Sequence, residues 1–165
     1  MADIFNKKTR SRVMACVKNK NTAPEIAIRK ALFARGLRYR LHDENLPGRP
    51  DLIFKKWGAI IFIHGCFWHR HDCKYAALPA TNKKFWTQKL TGNALRDKEA
   101  VKKLTQAGWR VKIVWSCMLK NRKEIDSEKT VDAIVEWILL SGREKNKNKK
   151  SCSIQSGMQA RVHIN

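Results

Sequence analysis

Hydrophobic residues recur along this chain at spacings typical of helices and of strands. A helix is predicted to begin at the capping box Thr22-Ala-Pro-Glu25 and to end at Gly36. Leu37–His42 alternates between apolar and polar residues, as a half-buried strand does. Two short apolar runs follow, Leu52–Phe54 and Ala59–Ile63, and the Lys-Lys-Trp-Gly turn between them predicts a β-hairpin.

The second half of the chain predicts a long helix, a strand and a shorter helix. The long helix runs from about residue 82 to residue 106, and the alternating segment Trp109–Trp115 predicts a strand. The last helix is capped by Asp126 or Ser127 and ends at Gly142, with the apolar face Val131, Ile134, Val135 and Ile138. This order of elements, α-β-β-β-α-β-α, predicts an α/β fold with a central mixed sheet flanked by helices.

One polar residue interrupts the apolar stripe of the long helix. The stripe consists of Trp86, Leu90, Ala94, Asp97, Val101 and Leu104, spaced three or four residues apart. A carboxylate in such a position must be paired, because burying it alone costs several kcal/mol. Asp97 is therefore expected either to cap a structural element or to face a histidine.

The net charge indicates a polyanionic partner. Thirty-five Lys and Arg residues against fourteen Asp and Glu residues give a net charge of +21 and a pI near 10.2. Nucleic acid is the first expectation for such a chain, with an anionic membrane surface as the alternative. The sequence contains neither an apolar run long enough to span a bilayer, nor a lipidation motif, nor a secretory signal, so we expect a cytoplasmic protein without a membrane partner.

The composition along the chain predicts three regions. Residues 1–21 form a basic arm, residues 22–141 a folded domain, and residues 142–165 a basic tail that is expected to be disordered because it lacks periodicity. The arm either is a solvated segment or lies along DNA phosphates, where cationic side chains bind by releasing counterions. Its basic residues include Lys7, Lys8, Arg10 and Arg12.

Four side chains of the metal-ligand type are candidates for a structural zinc site, although their spacing is not that of a standard zinc finger. They are Cys66, His71, Cys73 and Cys117. Thiolates combined with an imidazole suit tetrahedral zinc, which would fasten the loop after the hairpin to the last strand. The alternative is that Cys117 is a small buried hydrophobe and the others are ordinary loop residues. Cys16 and Cys152 lie in the basic end segments and are expected to bind no metal.

Several longer strings make the chain resemble the very-short-patch repair (Vsr) endonuclease family. The resemblance spans about residues 9 to 137, and its strings are Leu46–Asp51, Phe62–Cys73, Pro79–Thr81, Phe85-Trp86, Asp97 and Gly108–Cys117. It implies the PD-(D/E)xK fold of restriction endonucleases. It also implies a Mg²⁺-dependent endonuclease that nicks one strand of duplex DNA 5′ of the thymine in a T·G mismatch, a lesion left by deaminated 5-methylcytosine.

Other expectations follow from the same resemblance. The protein would act as a monomer near the nucleoid, and mismatch-repair proteins are partners by analogy with the family. Two alternatives share the same residues. One is a restriction-type nuclease that cuts matched DNA, and the other is a non-catalytic, zinc-bearing protein that binds nucleic acid.

The resemblance assigns a catalytic magnesium ion to Asp51 and to the backbone carbonyl of Ile63. Mg²⁺ is a hard ion that prefers oxygen ligands. The acid-x-lysine motif usual in this fold is replaced by Phe62-Ile63-His64. The family usually has threonine where this chain has Ile63, so this residue departs from the family pattern.

The resemblance also assigns the groups that act on the phosphodiester and on the bases. His69 would be the general base and Asp97 would orient it, in keeping with the near-neutral pKa of an imidazole. His64 would lie near the scissile phosphate. Glu25 either reaches the site or serves only the capping box. The aromatic residues expected to wedge into the base stack beside the mismatch are Phe67, Trp68 and Trp86.

Overall fold

The computed structural model of the chain describes residues 6–18, 20–119 and 128–140. The caps predicted for the last helix and the predicted tail lie outside these ranges. The helices are α1 (Lys7–Ala15), α2 (Ala23–Ala34), α3 (Lys83–Gln106) and α4 (128–140), and the strands are β1 (Leu52–Phe54), β2 (Ala59–His64) and β3 (Arg110–Trp115).

The three strands form one mixed sheet in the order β1-β2-β3. β1 and β2 pair in the antiparallel sense, with Ile53 opposite Ile60, and form the predicted hairpin. The turn between them is one turn of 3-10 helix closed by Gly58, whose positive φ of 58° suits glycine. β2 and β3 pair in the parallel sense, with Ile60 opposite Val111, and α3 lies between them in the chain. The predicted mixed sheet is confirmed.

Helices cover both faces of the sheet because successive β2 side chains point in opposite directions. On one face, Ile61 belongs to a buried cluster that includes Leu32 of α2 and Ile134 of α4. On the other face, Phe62 packs in a second cluster with Leu104 of α3. Full burial of such side chains stabilises the fold by about 1.5–3 kcal/mol each. The predicted α/β architecture, with helices flanking the sheet, is confirmed.

The strand predicted over Leu37–His42 is wrong. This segment forms a single bridge, in which Arg40 and Ile53 exchange backbone hydrogen bonds of 2.9 Å. β1 offers only three residues for pairing, and His42 leaves the extended conformation with a φ of +46°. The alternating burial holds as far as Arg40, since Leu37 is buried and Tyr39 half-buried between exposed neighbours, but it fails at Leu41, which is exposed.

The start of α2 differs from a reciprocal capping box. The hydroxyl of Thr22 donates to Oε1 of Glu25 at 2.9 Å, and it is not the acceptor for a backbone N–H of the helix. Glu25 Oε2 instead accepts the backbone N–H of Asn21 at 2.9 Å. Glu25 therefore accepts from the residue before the N-cap residue Thr22, and not from Thr22 itself as a capping box requires. At its other end, α2 stops before Gly36, as predicted.

The basic arm contains a helix that the sequence analysis does not predict. The side chain of Asn6 accepts the backbone N–H of Thr9 at 2.9 Å and caps α1. A single capping bond of this kind contributes about 1 kcal/mol. Among the described residues, none of the helices is both long enough and apolar enough to span a membrane.

A tight approach of the loop before β1 to α3 positions residue 51. Gly48 has a φ of +74°, and a Cβ atom there would lie 2.8 Å from Cβ of Ala100. Only glycine meets both demands, because real Cβ atoms do not approach so closely and L residues rarely adopt this φ. The loop therefore packs directly on α3 and Phe62, and it brings Asp51 to the start of β1.

Candidate active site

Asp51 precedes β1 and turns its carboxylate toward the end of β2. Its Oδ2 accepts the backbone N–H of Ile63 at 2.7 Å, which leaves Oδ1 as the oxygen available to another partner. Burial raises the pKa of Asp51 to about 6, and the nearby Glu25 carboxylate adds to this effect. The Ile63 N–H opposes the increase without cancelling it. A cation beside Oδ1 would remove the electrostatic penalty of this buried charge.

His69 and Asp97 form a close pair across the interface between the turn after β2 and α3. Nδ1 of His69 lies 2.6 Å from Oδ2 of Asp97, so the polar residue on the helix stripe does face a histidine. When Nδ1–H donates to the carboxylate, Nε2 carries the lone pair that a general base requires. The pair is partly exposed, with 26% of the His69 side chain and 24% of the Asp97 side chain accessible.

His64, the last residue of β2, stacks on His69. The two imidazole centroids lie 3.8 Å apart and the rings are within 9° of parallel. Burial and the neighbouring His69 lower the pKa of His64 to about 4, so His64 is neutral near pH 7. Its buried Nδ1 has no hydrogen-bond partner within the part of the chain that the structure describes.

The predicted catalytic side chains line one cavity of about 420 Å³, here called the cleft. These residues are Glu25, Asp51, His64, His69 and Asp97, and the cleft is also lined by Ile63 and His42. Asp51 and His69 therefore face the same space although they lie on opposite sides of the hairpin in sequence. The cleft is basic at its edge, where Lys20, Arg49 and Arg96 contribute to the lining.

Two residues of the cleft region, Arg29 and His42, are missed by the sequence analysis. Arg29 is buried and donates to Glu25 at 2.9 Å and to Nε2 of His42 at 2.8 Å. Burial and the Arg29 charge lower the pKa of His42. Nδ1 of His42 lies 3.9 Å from Oδ1 of Asp51. The only sequence signal for His42 is its position at the end of an alternating segment that runs beside β1.

The four predicted zinc ligands come together as one group, here called the Cys/His cluster. The ligand atoms of Cys66, His71, Cys73 and Cys117 all lie within 4.8 Å of one another. Sγ of Cys117 is 3.4 Å from Nδ1 of His71. Cys66 Sγ is also 3.4 Å from the hydroxyl of Ser116, a neighbour that the sequence analysis does not identify.

The thiols of the Cys/His cluster compete for ionisation. Burial raises the pKa of Cys66, but hydrogen bonds from Ser116, Cys117 and His71 outweigh it and lower that pKa to about 6. Burial and the neighbouring Cys66 and Cys73 raise the pKa of Cys117 to about 11. One ionised sulfur thus suppresses the next, and only a cation allows several thiolates to coexist. The donor set fits a metal ion.

Aromatic side chains gather at the surface beside the cleft, in a group here called the aromatic cluster. It consists of Phe67, Trp68, Phe85 and Trp86. Phe67 lies 5.1 Å from Trp68 and 5.2 Å from Trp86, edge to face. Phe85, which is missing from the predicted wedge residues, is 55% exposed. The ammonium group of Lys89 lies 5.6 Å from the Trp68 ring centroid.

The end of α1 approaches the cleft. Cys16, Val17 and Lys18 line a second cavity of about 910 Å³ together with Trp68 and His69. Lys8 and Arg12 on α1 are exposed. The predicted basic arm is thus adjacent to the aromatic cluster and to the cleft, and Cys16 lines the space between them.

Comparison with known proteins identifies the family. The sequence model of the DNA mismatch endonuclease Vsr family matches residues 2–75. The DNA mismatch endonuclease Vsr of Escherichia coli (strain K12) is 40% identical over 142 residues, which cover 86% of this chain and 91% of that protein. The type II nicking enzyme V.NmeAIP of Neisseria meningitidis is 43% identical over 122 residues, which cover 74% of this chain and 87% of the enzyme.

A further relative has the same kind of activity in its name. The type II nicking enzyme V.XorIIP of Xanthomonas oryzae pv. oryzae is 40% identical over 121 residues, which cover 73% of this chain and 89% of the enzyme. These alignments extend over most of both partners. The predicted family is confirmed: the chain belongs to the DNA mismatch endonuclease Vsr family.

Proposed function

We propose that this protein is a strand-specific endonuclease that nicks duplex DNA 5′ of the thymine in a T·G mismatch. The observation that carries the proposal is the placement of Asp51, His69 and Asp97 around one cavity, in a member of a mismatch endonuclease family. A protein that only binds nucleic acid has no use for a half-buried carboxylate that shares a cavity with a histidine–carboxylate pair. The relatives named as nicking enzymes favour cleavage of one strand.

Asp51 is the proposed protein ligand for a catalytic Mg²⁺ ion. Its free Oδ1 and the backbone carbonyl of Ile63 would hold the ion, while the Ile63 N–H fixes the other carboxylate oxygen. Mg²⁺ would supply positive charge to the phosphate oxygens as negative charge develops there. Because the Ile63 contribution is a backbone atom, an isoleucine where relatives usually have threonine is compatible with this role.

His69 is the proposed general base. The Asp97 carboxylate holds Nδ1–H, so Nε2 of His69 takes the proton from the attacking water. The stacked His64, kept neutral by burial, adds no second positive charge beside His69 and presents its ring to the cleft near the scissile phosphate. Glu25 would contribute negative charge at the cleft while its hydrogen bonds hold the start of α2.

The aromatic cluster is the proposed means of selecting mismatched DNA. Phe67, Trp68 and Trp86 would wedge between base pairs, a step that costs a few kcal/mol and is easiest at a pair that is already weakly bonded. The basic residues of the arm, which include Lys7, Lys8, Arg10 and Arg12, would contact DNA phosphates. The residues just after α1 line the 910 Å³ cavity together with Trp68 and His69, so the end of the arm lies beside the aromatic cluster.

Zinc is the proposed metal of the Cys/His cluster. Three thiols and one imidazole match the preference of Zn²⁺ for four sulfur and nitrogen ligands in closed structural sites. The ion would join the turn after β2 to the residues that follow β3. It would act on the fold and on the position of His69, and it would have no open coordination site for substrate.

Broader features of the proposal follow from the same family. We assign the domain to the restriction-endonuclease-like fold, with Asp51 at the start of the hairpin and Phe62-Ile63-His64 in place of the usual acid-x-lysine. The division into an arm (1–21), a domain (22–141) and a tail (142–165) is part of the proposal. So are a monomeric state, partnership with mismatch-repair proteins and action on the cytoplasmic nucleoid.

The test compares duplexes that differ only at one base pair. The protein is incubated with Mg²⁺ and either a T·G duplex or its matched parent, each strand end-labelled, and the products are resolved on a denaturing gel. We expect one product, from the thymine strand of the mismatched duplex alone. Cleavage of both strands of the matched duplex would instead identify a restriction-type nuclease, and binding without any cleavage would identify a non-catalytic protein.

A further inference from the structure

His42 occupies a strained backbone position beside Asp51. Its φ of +46° is uncommon for a residue other than glycine, and such positions concentrate at functional sites. The backbone N–H of His42 donates to the carbonyl of Pro50 at 3.1 Å. This bond ties residue 42 to the residue immediately before Asp51, so the two side chains are fixed on the same side of the cleft.

Arg29 determines which imidazole nitrogen of His42 carries the proton. A guanidinium group can only donate, so Nε2 of His42 accepts from Arg29 at 2.8 Å. The ring hydrogen is then on Nδ1, the atom that faces Oδ1 of Asp51 at 3.9 Å. Arg29 is itself held by Glu25 at 2.9 Å and by Asn21 at 2.6 Å. Polar contacts therefore run from the start of α2 through Arg29 and His42 to Asp51, and the last contact, at 3.9 Å, is longer than a hydrogen bond.

The two oxygens of Asp51 have different neighbours. Oδ2 is held by the Ile63 N–H, whereas Oδ1 has His42 on one side and the open cleft on the other. The ligand atoms of Glu25, His42 and Asp51 all lie within 4.8 Å of one another. Two carboxylates this close repel each other, and the polar N–H of His42, 3.9 Å from Oδ1, is placed to offset that repulsion.

We propose that His42 is a positioning residue that links Arg29 to Oδ1 of Asp51 and holds this oxygen in place for the catalytic cation. The inference rests on the proposed role of Asp51 as a cation ligand. His42 is not assigned as a ligand itself, because Arg29 occupies the lone pair on Nε2 and the proton occupies Nδ1. Groups behind a metal ligand commonly tune metal affinity in this way.

Two amide substitutions separate the side-chain link from the backbone strain. In His42→Gln, the amide oxygen can accept from Arg29 while its N–H reaches toward Asp51. In His42→Asn, the residue tolerates the positive φ equally well but is too short to make both contacts. The matched control is Glu44→Gln, which changes an exposed residue in the same loop. The melting temperature of each metal-free variant verifies that it folds.

The measurements are the Mg²⁺ concentration for half-maximal nicking of a T·G duplex and Mn²⁺ binding to the protein on a non-hydrolysable T·G duplex. Mn²⁺ binding is followed by loss of the free-ion EPR signal. We expect His42→Asn to raise the half-maximal Mg²⁺ concentration and to weaken Mn²⁺ binding, each by about 10-fold or more, while duplex affinity stays unchanged. We expect both quantities in His42→Gln to remain within about threefold of those of the parent protein.

The outcomes distinguish this inference from the proposed function. Unchanged metal dependence in His42→Asn, or equal losses in both amide variants, would overturn the role of His42. An Asp51→Asn variant is assayed in parallel. If it still nicks with normal Mg²⁺ dependence, the cation site at Asp51 is wrong and the proposed function fails with it. If it is inactive while His42→Asn behaves normally, only the inference about His42 fails.

Discussion

The cleft and the Cys/His cluster share the turn after β2 but handle electric charge differently. In the Cys/His cluster, four donor side chains close around one point and suit a bound metal that excludes substrate. In the cleft, Asp51 keeps one carboxylate oxygen free beside an open cavity. The closed arrangement is suited to holding the fold together, whereas the open one keeps an unfavourable charge available for chemistry.

Side chains of the turn after β2 point in different directions, toward the cleft, the Cys/His cluster and the aromatic cluster. His69 faces the cleft, whereas Cys66, His71 and Cys73 face the Cys/His cluster, and Phe67 and Trp68 point to the aromatic cluster. A metal in the Cys/His cluster would therefore fix the same backbone that carries the proposed base. Loss of the Cys/His cluster should thus act on the chemistry indirectly, through the stability of the fold and the position of His69.

The largest expected effect is that of removing the free carboxylate from the cleft. Asp51→Ala should reduce the nicking rate on a T·G duplex by at least about 10³-fold, because the proposed cation loses its protein side-chain ligand. Binding to the duplex should remain close to that of the parent protein, since the aromatic cluster and α1 are unchanged. Single-turnover assays and a binding titration measure the two quantities.

Glu44→Gln, which alters an exposed acid in the loop before β1, is the control for that experiment. It should leave both the nicking rate and the affinity unchanged. If Asp51→Ala cuts at the parent rate, Asp51 is not the cation ligand and the cleft is misassigned.

The next effect concerns proton transfer within the cleft. His69→Ala should reduce the nicking rate by about 10²-fold or more, the usual contribution of general acid–base catalysis. Asp97→Asn should reduce it by about 10-fold or more, since an amide can hold Nδ1 without a proton and leave Nε2 protonated. Rates measured with saturating duplex and Mg²⁺ across pH 6 to 9 test both variants.

Glu99→Gln provides the matched control on α3. Glu99 is an exposed acid that pairs with Lys103 at 3.6 Å and lies two residues beyond Asp97 in the chain. This change should leave the pH profile unaltered. An Asp97→Asn profile identical to that of the parent would restrict Asp97 to a structural role.

The sheet and its helical layers were predictable because they depend on local spacing. The apolar run of β2 and the stripe on α3 predict their elements closely. Of the two alternatives for Asp97, a structural cap or a histidine partner, the structure has the histidine. Alternation over Leu37–His42 reports burial correctly as far as Arg40, but it reports neither the exposure of Leu41 nor the pairing. Whether a half-buried segment becomes a strand depends on how many residues its neighbour offers, and β1 offers three.

The residues that sequence reasoning missed depend on contacts between distant segments. Arg29 and His42 meet at 2.8 Å only because the loop before β1 packs against the start of α2. Their spacing of thirteen residues carries no periodic signal. Cys117 was within reach of prediction because it lies two residues beyond the end of β3. The parallel register, with His64 opposite Trp115, places residues 66 and 117 at equivalent positions beyond that pair.

A smaller effect, on stability, is expected from opening the Cys/His cluster. Cys117→Ser should lower bound zinc below one equivalent and reduce the free energy of unfolding by several kcal/mol, because a structural metal contributes directly to folding. Metal analysis and thermal unfolding measure these changes. Nicking at a temperature where the variant remains folded should fall much less than in Asp51→Ala.

Cys16→Ser is the control, since Cys16 is an exposed thiol outside the Cys/His cluster. It should retain the metal content and the melting temperature of the parent protein. Parental zinc content in Cys117→Ser would remove Cys117 from the ligand set and weaken the contrast between the two regions.

The smallest expected effect is a gain in stability, whereas opening the Cys/His cluster is expected to cause a loss of stability. Burial raises the pKa of Asp51 from 3.8 to about 6, so near pH 8 the metal-free protein folds with a carboxylate that would be better solvated in the unfolded chain. At about 1.36 kcal/mol per pKa unit, this ionisation destabilises the fold by about 3 kcal/mol. Asp51→Asn should remove most of that penalty and raise the metal-free melting temperature by several degrees, while abolishing nicking.

The pH dependence of this gain provides the sharper test. As pH falls through about 6, the folded protein takes up a proton on Asp51 before the unfolded chain does, and it gains stability. The advantage of Asp51→Asn should therefore be largest near pH 8 and vanish below about pH 3, where both states of the parent are protonated. Comparing the two proteins cancels the opposite contribution of His64, whose lowered pKa reduces stability on acidification. A difference that does not vary with pH would show that the ionised carboxylate of Asp51 carries no cost in the folded protein, and the contrast in charge between the two regions would then fail.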